Sequence, residues 1–258
     1  MLLQLDVGNT RLKWRILGGA DGVSLASGVL VRAEYDSNQA LFAQLLSELA
    51  LGEDVKPVGV QVASVAGASF DDELAAWVNT ELAVVAAFAV VTKSSSGVTV
   101  GYDDPALLGV DRWLAVLAAS SFSGFKKVLV VDCGSAITVD ILDSGVHCGG
   151  YIVPGVRLMV NALFKDTSKV KVAARAAQDG PGRSTSEAVN NGVVLMAVSF
   201  VEGVCRRYCS GAEGDWLLVL TGGDAAVVSA ALNVGVAQQV RDELVLEGLA
   251  LSELQLRG

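Results

Sequence analysis

"VLVVDCGSAITVDIL", residues 128–142, decides the fold because an earlier stretch, "LLQLDVGNTRLKW", residues 2–14, reads the same way. In each, an apolar run ends on an acid, Asp132 or Asp6. An x-Gly turn with small polar residues follows, and then a second strand-like run. Both copies go on to a third strand: "GGADG" (18–22) turns into 23–31, and "DSG" (143–145) turns into "VHCGGYIV". Two meanders of one plan imply an internal duplication at low sequence identity.

Around the meanders the chain alternates helices and strands, which supports α/β layers. Residues 37–51 have helical spacing, with Ser37 or Asn38 as N-cap. Residues 58–66 read as a buried strand, and 70–82 as a helix whose early acids suit the helix dipole. The stretch 94–105 is loop-rich, and a helix is expected over 106–120. Ser184 and Glu187 form a capping box that opens a long helix over 185–209. "WLLVLTGGDAAVVSAAL" (216–232) reads as strand, Gly-Gly turn and helix. A polar break near 118–126, where "SSFSGFKK" falls, divides the expected domains, 1–120 and 121–258.

Composition narrows the classes. The 258 residues are 52% apolar and 18% charged, enough for a sizeable core and against wholesale disorder. A net charge of −9 lacks the electrostatic footprint of a nucleic-acid binder. A bound nucleotide would then depend on local backbone N–H groups and a metal for its positive field. Four cysteines without a C-x-x-C pair suit a reducing cytosol. The longest apolar run, Leu82 to Val91, is about half a membrane span, and no basic segment precedes an N-terminal apolar core. A soluble cytoplasmic protein without nucleic-acid or membrane partners is expected.

The Walker A loop, the G-x-G-x-x-G turn and the G-x-S-x-G elbow are all absent from the sequence. The one histidine, His147, lies next to a predicted turn and is expected as a turn or surface residue; a zinc site with the cysteines is disfavoured. The two Asp-x-Gly turns remain. Glycine lets the backbone approach a ligand closely, with successive N–H groups aimed at phosphate oxygens. Asn9, Thr10 and Ser135 add short donors, and Lys13 can reach a β- or γ-phosphate. Asp6 beside phosphates implies an intervening Mg²⁺, held directly or through water. A single Asp-x-Gly can simply close a hairpin, but two matched copies make that reading the weaker one. In "LGVDRW" (108–113), Asp111 and Arg112 are either a surface ion pair or a general base beside a carboxylate-binding arginine, and spacing alone does not choose.

Taken in order, these motifs resemble the type III pantothenate kinase family. The set is Asp6–Lys13, Leu-Gly-x-Asp-Arg (108–112), Asp-x-Gly-x-Ala-x-Thr-x-Asp (132–140), "GGYIVPG" (149–155) and "LTGGD" (220–224). The resemblance implies two duplicated ribonuclease-H-like, actin-like ATPase domains with a cleft between them. It implies phosphorylation of pantothenate by ATP in coenzyme A biosynthesis, by a homodimer that uses Mg²⁺ and a monovalent cation, K⁺ or NH₄⁺. Carried over, Asp6, Val7, Gly8, Asn9, Thr10, Arg11, Leu12 and Lys13 form the first phosphate loop, and Asp6 serves Mg²⁺. Ser135, Gly222 and Gly223 meet ATP, and Asp132 takes the monovalent cation. Tyr102, Gly109, Val110, Asp111 and Arg112 line the pantothenate site. Asp111 is its base, and Thr185 is offered from the partner subunit. The family usually has threonine at the place of Ser135 and an aliphatic residue at that of Cys133; neither departure removes the motif.

Overall fold

The computed structural model describes residues 1–19, 22–49, 57–122, 124–165 and 180–257. The chain divides into two compact units, Met1–Ala118 with Leu244–Gly258, and Ala119–Glu243. The last segment, which the sequence reading grouped with the second domain, therefore returns to the first unit. Its strand closes the far edge of the first sheet, an association that no local pattern announces.

The first unit begins with β1 (Leu2–Val7), β2 (Arg11–Gly18) and β3 (Val23–Val31). It continues through α1 (Asn38–Leu49), β4 (Gly59–Ser64), α2 (Ala68–Trp77) and β5 (Ala86–Val90). Two short strands, β6 (Ser94–Ser95) and β7 (Val98–Thr99), and helix α3 (Val110–Ser120) follow. The second unit holds β8 (Lys127–Cys133), β9 (Ala136–Asp143), β10 (Val146–Pro154), α4 (Val156–Lys165), α5 (Thr185–Cys209), β11 (Trp216–Thr221), α6 (Ala225–Ala231) and β12 (Ala237–Val240). The chain ends with α7 (Leu244–Gly248) and β13 (Glu253–Arg257).

Each unit carries the same five-strand order: β3-β2-β1-β4-β5 in the first, extended by β13 on β5, and β10-β9-β8-β11-β12 in the second. The duplication extends to the register. Asp6 pairs with Lys13, and Asp132 with Thr138. Arg15 then pairs with Ser27 and Leu17 with Ser24, across a bulge; Asp140 pairs with Gly150 and Leu142 with His147, across a bulge on the same rung. These are two ribonuclease-H-like domains.

The cores follow from alternation. Leu3, Leu5 and Val7 point into one cluster with Leu41, Phe42 and Leu45 of α1 and with Phe70 and Leu74 of α2. Phe42 meets Phe70 edge-on at 5.5 Å between ring centroids. In the second unit Leu129, Val131 and Cys133 pack with Ile137, Val139 and Ile141 against Ala197, Val201 and Cys205 of α5. Each fully buried large side chain contributes about 1.5–3 kcal/mol, so the inward faces of β1 and β8 hold their carboxylate-bearing ends in place.

Helix starts obey the expected caps. Ser37 Oγ accepts from Ala40 N–H at 3.2 Å, and Ser184 Oγ from Glu187 N–H at 3.2 Å. The Glu187 carboxylate reaches back to Arg183 N–H at 2.8 Å, one residue earlier than a standard capping box. The predicted helix over 70–82 continues past α2 as a π-turn over Val78–Leu82, ended by Ala83 in the left-handed region. Among the described residues α5 alone is long and apolar enough to cross a bilayer by length and composition, and one face of it, with Ala197, Val201 and Cys205, packs into the core of the second unit.

Candidate active site

The first Asp-x-Gly hairpin is built by β1 and β2. Asp6 is half-buried at the end of β1, opposite Lys13, while Val7 and Leu12 are fully buried and offer only their backbones. Gly8 N–H donates to Arg11 O at 2.9 Å, closing a loop of Gly8, Asn9 and Thr10 in which Asn9 is exposed. Val65 N–H, just past β4, donates to Val7 O at 3.0 Å and ties the hairpin to the neighbouring strand.

A second cluster in the same unit surrounds the start of α3. Asp104 accepts from Ala106 N–H at 3.0 Å, with Pro105 next to it, and makes the turn that leads into Leu108 and Gly109. Gly109 O accepts from Trp113 N–H at 3.0 Å, the first turn of the helix. Asp111 stands in that turn, its Oδ1 accepting from Arg112 N–H at 2.8 Å. A Cβ on Gly109 would come within 2.6 Å of that oxygen, so glycine here clears space for the carboxylate. Arg112 is buried, which removes the surface ion-pair reading. Its Nη1 donates to the Tyr102 hydroxyl at 2.9 Å, and its guanidinium lies 5.7 Å from that ring's centroid.

In the second unit the hairpin is tighter: Gly134 and Ser135 alone connect the strands, and Gly134 N–H donates to Ala136 O at 3.0 Å. Two glycines grip it. Gly155 N–H donates to Ser135 O at 3.1 Å, and a Cβ there would meet that oxygen at 2.5 Å. Gly222, with φ of +93°, lies so close that a Cβ would strike Asp132 Oδ1 and come within 2.5 Å of the Cys133 carbonyl carbon. Asp224 N–H donates to Cys133 O at 3.0 Å. Asp132, Ser135 and Gly222 thus come together, with Gly223 following in the same turn. Burial, and then the carboxylates of Asp132 and Asp224, push the Cys133 thiol up to about 12. Thr185 is exposed at the first residue of α5.

His147 is a correction to the sequence reading. It is fully buried on β10, with Nε2 2.8 Å from Asp140 Oδ1, because the bulge turns its ring onto the same sheet face as Asp140. No group of three or more metal-ligating side chains occurs among the described residues.

A family model described as type III pantothenate kinase matches residues 2–207. The chain belongs to the type III pantothenate kinase family. A member from Alcanivorax borkumensis is 36% identical, covering 96% of this chain and 97% of its own length. Another, from Chromohalobacter salexigens, is 40% identical over 91% of this chain and 81% of its own. The fold recurs in the activator of the 2-hydroxyisocaproyl-CoA dehydratase from Clostridium difficile, a structure with bound ADPNP. That likeness has a TM-score of 0.54 at 12% identity and covers 96% of this chain and 92% of that one. Of the residues that grip the hairpins, Gly155 and Asp224 fall inside motifs the sequence reading quoted but gave no role, and Arg32 was missed. The available signal was alignment of the two copies past their third strands.

Proposed function

We propose that this member phosphorylates the primary hydroxyl of pantothenate with ATP. The observation that carries the reading is the Asp111–Arg112–Tyr102 cluster: a carboxylate at a helix start, next to a buried guanidinium whose plane is fixed by a phenol. Arg112 binds the pantothenate carboxylate, and Tyr102 walls the pocket with Gly109 and Val110. Asp111 accepts the hydroxyl proton as the oxygen attacks the γ-phosphorus and ADP leaves.

The backbone N–H groups of the first hairpin and Lys13 bind phosphates, as does the Ser135 hydroxyl. Gly222 and Gly223 let adenosine lie against backbone. Asp6 would hold Mg²⁺, which supplies neutralisation of phosphate charge when bound. Asp132, in its glycine-walled niche, would hold the monovalent cation. The enzyme works as a homodimer in the cytoplasm. Exposed Leu195 and Met196 on α5 supply an apolar surface for the partner, whose Thr185 completes the pantothenate site.

An ADP-release assay with pantothenate, with and without K⁺, tests the reading. Asp111→Asn should lower kcat by about 10²–10⁴ while nucleotide binding persists; turnover near that of the unaltered enzyme would remove Asp111 as the base.

A further inference from the structure

The register that relates the two meanders places Val31 opposite Arg11 and Pro154 opposite Ala136, so Arg32 and Gly155 are equivalent positions. Their backbones do the same thing. Arg32 N–H donates to Thr10 O at 2.9 Å, as Gly155 N–H does to Ser135 O. Their side chains differ for a steric reason. The second hairpin has a two-residue loop packed so closely that only glycine fits. The first loop is one residue longer, and an arginine stands at the equivalent position.

That side chain returns to the loop. Arg32 Nη1 donates to Gly8 O at 2.9 Å, and the guanidinium rests 4.4 Å from the Phe70 ring centroid. In a trans peptide the C=O and the next N–H point in opposite directions. Holding Gly8 O toward Arg32 therefore aims the Asn9 N–H away from that side chain. Without that anchor the peptide is able to flip and present its carbonyl to an anion. Burial lowers the Arg32 pKa, yet an arginine starts so high that it stays charged.

We propose that Arg32 is the positioning residue of the first phosphate loop, fixing the Gly8–Asn9 peptide with its N–H turned toward the ATP phosphates. The inference rests on the nucleotide role proposed above for residues 6–13. It adds a cation held behind the loop rather than in front of it. In a chain of net charge −9, that supplements Lys13 and the backbone as a source of positive field.

Titration of the full chain with Mg²⁺ and the non-hydrolysable analogue AMPPNP, paired with amide hydrogen exchange, tests this. Arg32→Ala should weaken AMPPNP about tenfold, the worth of one charge-assisted hydrogen bond. Exchange should quicken over residues 7–13 and stay unchanged over 128–142. Affinity within about twofold of the unaltered chain, or exchange that rises equally in both hairpins, overturns the proposal. Should Arg32→Ala not fold, Arg32→Lys is read in the same way. A recess of 340 Å³ lined by Asn9, Arg32, Tyr35, Asp36, Ser37 and Asn38 accommodates it. The expected weakening is then about threefold, because the charge remains and the planar fork is lost; none would overturn the role. A chain that binds AMPPNP through Arg32 yet leaves pantothenate unphosphorylated refutes the proposed substrate and not this inference.

Discussion

The first hairpin carries Lys13 and Arg15 on the rungs where the second carries Thr138 and Asp140. In the first unit Arg15 Nε donates to Gln4 Oε1 at 2.7 Å, and Gln4 Nε2 to Gln61 Oε1 at 2.6 Å, a buried polar line across three strands. In the second the same rung holds the Asp140–His147 pair. Apolar positions facing each core are kept alike, since they specify the sheet. The rungs behind the acids have diverged in charge, and so has the grip on each loop: a cation behind the first, bare glycine behind the second. Duplicated backbones therefore fix where the two carboxylates stand, and the unshared side chains give the hairpins different chemistry.

The sharpest way to break the comparison is at the strand end beside each acid. Gly222 and Ser64 are equivalent, because Thr221 pairs with Asp132 as Ala63 pairs with Asp6. Gly222→Ala combines a positive φ with a clash against backbone that cannot retreat, and should cost about 4 kcal/mol in urea unfolding. Ser64→Ala loses hydrogen bonds to Asp71 and to Ala66 N–H, and should cost only about 1–2 kcal/mol. Equal losses would show that the two hairpins are held alike.

The sheets were readable from sequence because strand, acid and x-Gly turn recur, and α5 because its cap and apolar face are local. The Tyr102–Arg112 contact, the burial of Arg112 and the Arg32 anchor were not readable. Each joins residues through a loop or across strands, and nothing in spacing encodes a side chain's direction there. β5 and β13 escaped for a related reason. "AAFAV" at Ala86–Val90 is a short buried run without alternation, and β13 finds its partner across most of the chain. His147 was misread because turn residues beside it suggested exposure, whereas one extra residue in the bulge rotates it inward.

A smaller expected loss concerns the charge divergence itself. His147→Ala takes the imidazole away from a buried carboxylate, and should destabilise the protein by about 3 kcal/mol. The equivalent first-copy position, Ser24, is exposed, so Ser24→Ala should be silent in the same unfolding experiment. A silent His147→Ala would mean that Asp140 is held by other groups of the sheet.

The smallest effect separates Cys133 from its counterpart Val7. The Cys133 thiol is raised from 9.0 to about 12 in the folded protein by burial and by the neighbouring Asp132 and Asp224. In the unfolded chain it ionises near its ordinary value. Its contribution to stability is fully present below pH 9.0 and is lost as pH rises toward about 12, since over that range only the unfolded state releases the proton. At roughly pH 10.5 the loss is about 2 kcal/mol. Cys133→Val gives the second hairpin the first hairpin's residue, with no titrating group and one methyl group more to seat in the core. Its stability at pH 8 should match that of the unaltered chain to within about 1.5 kcal/mol. The two unfolding curves should then diverge only above pH 9.0, with the valine variant the more stable. Parallel decline of both would assign the alkaline loss to other groups and leave the thiol as a plain apolar substitute, as Val7 is.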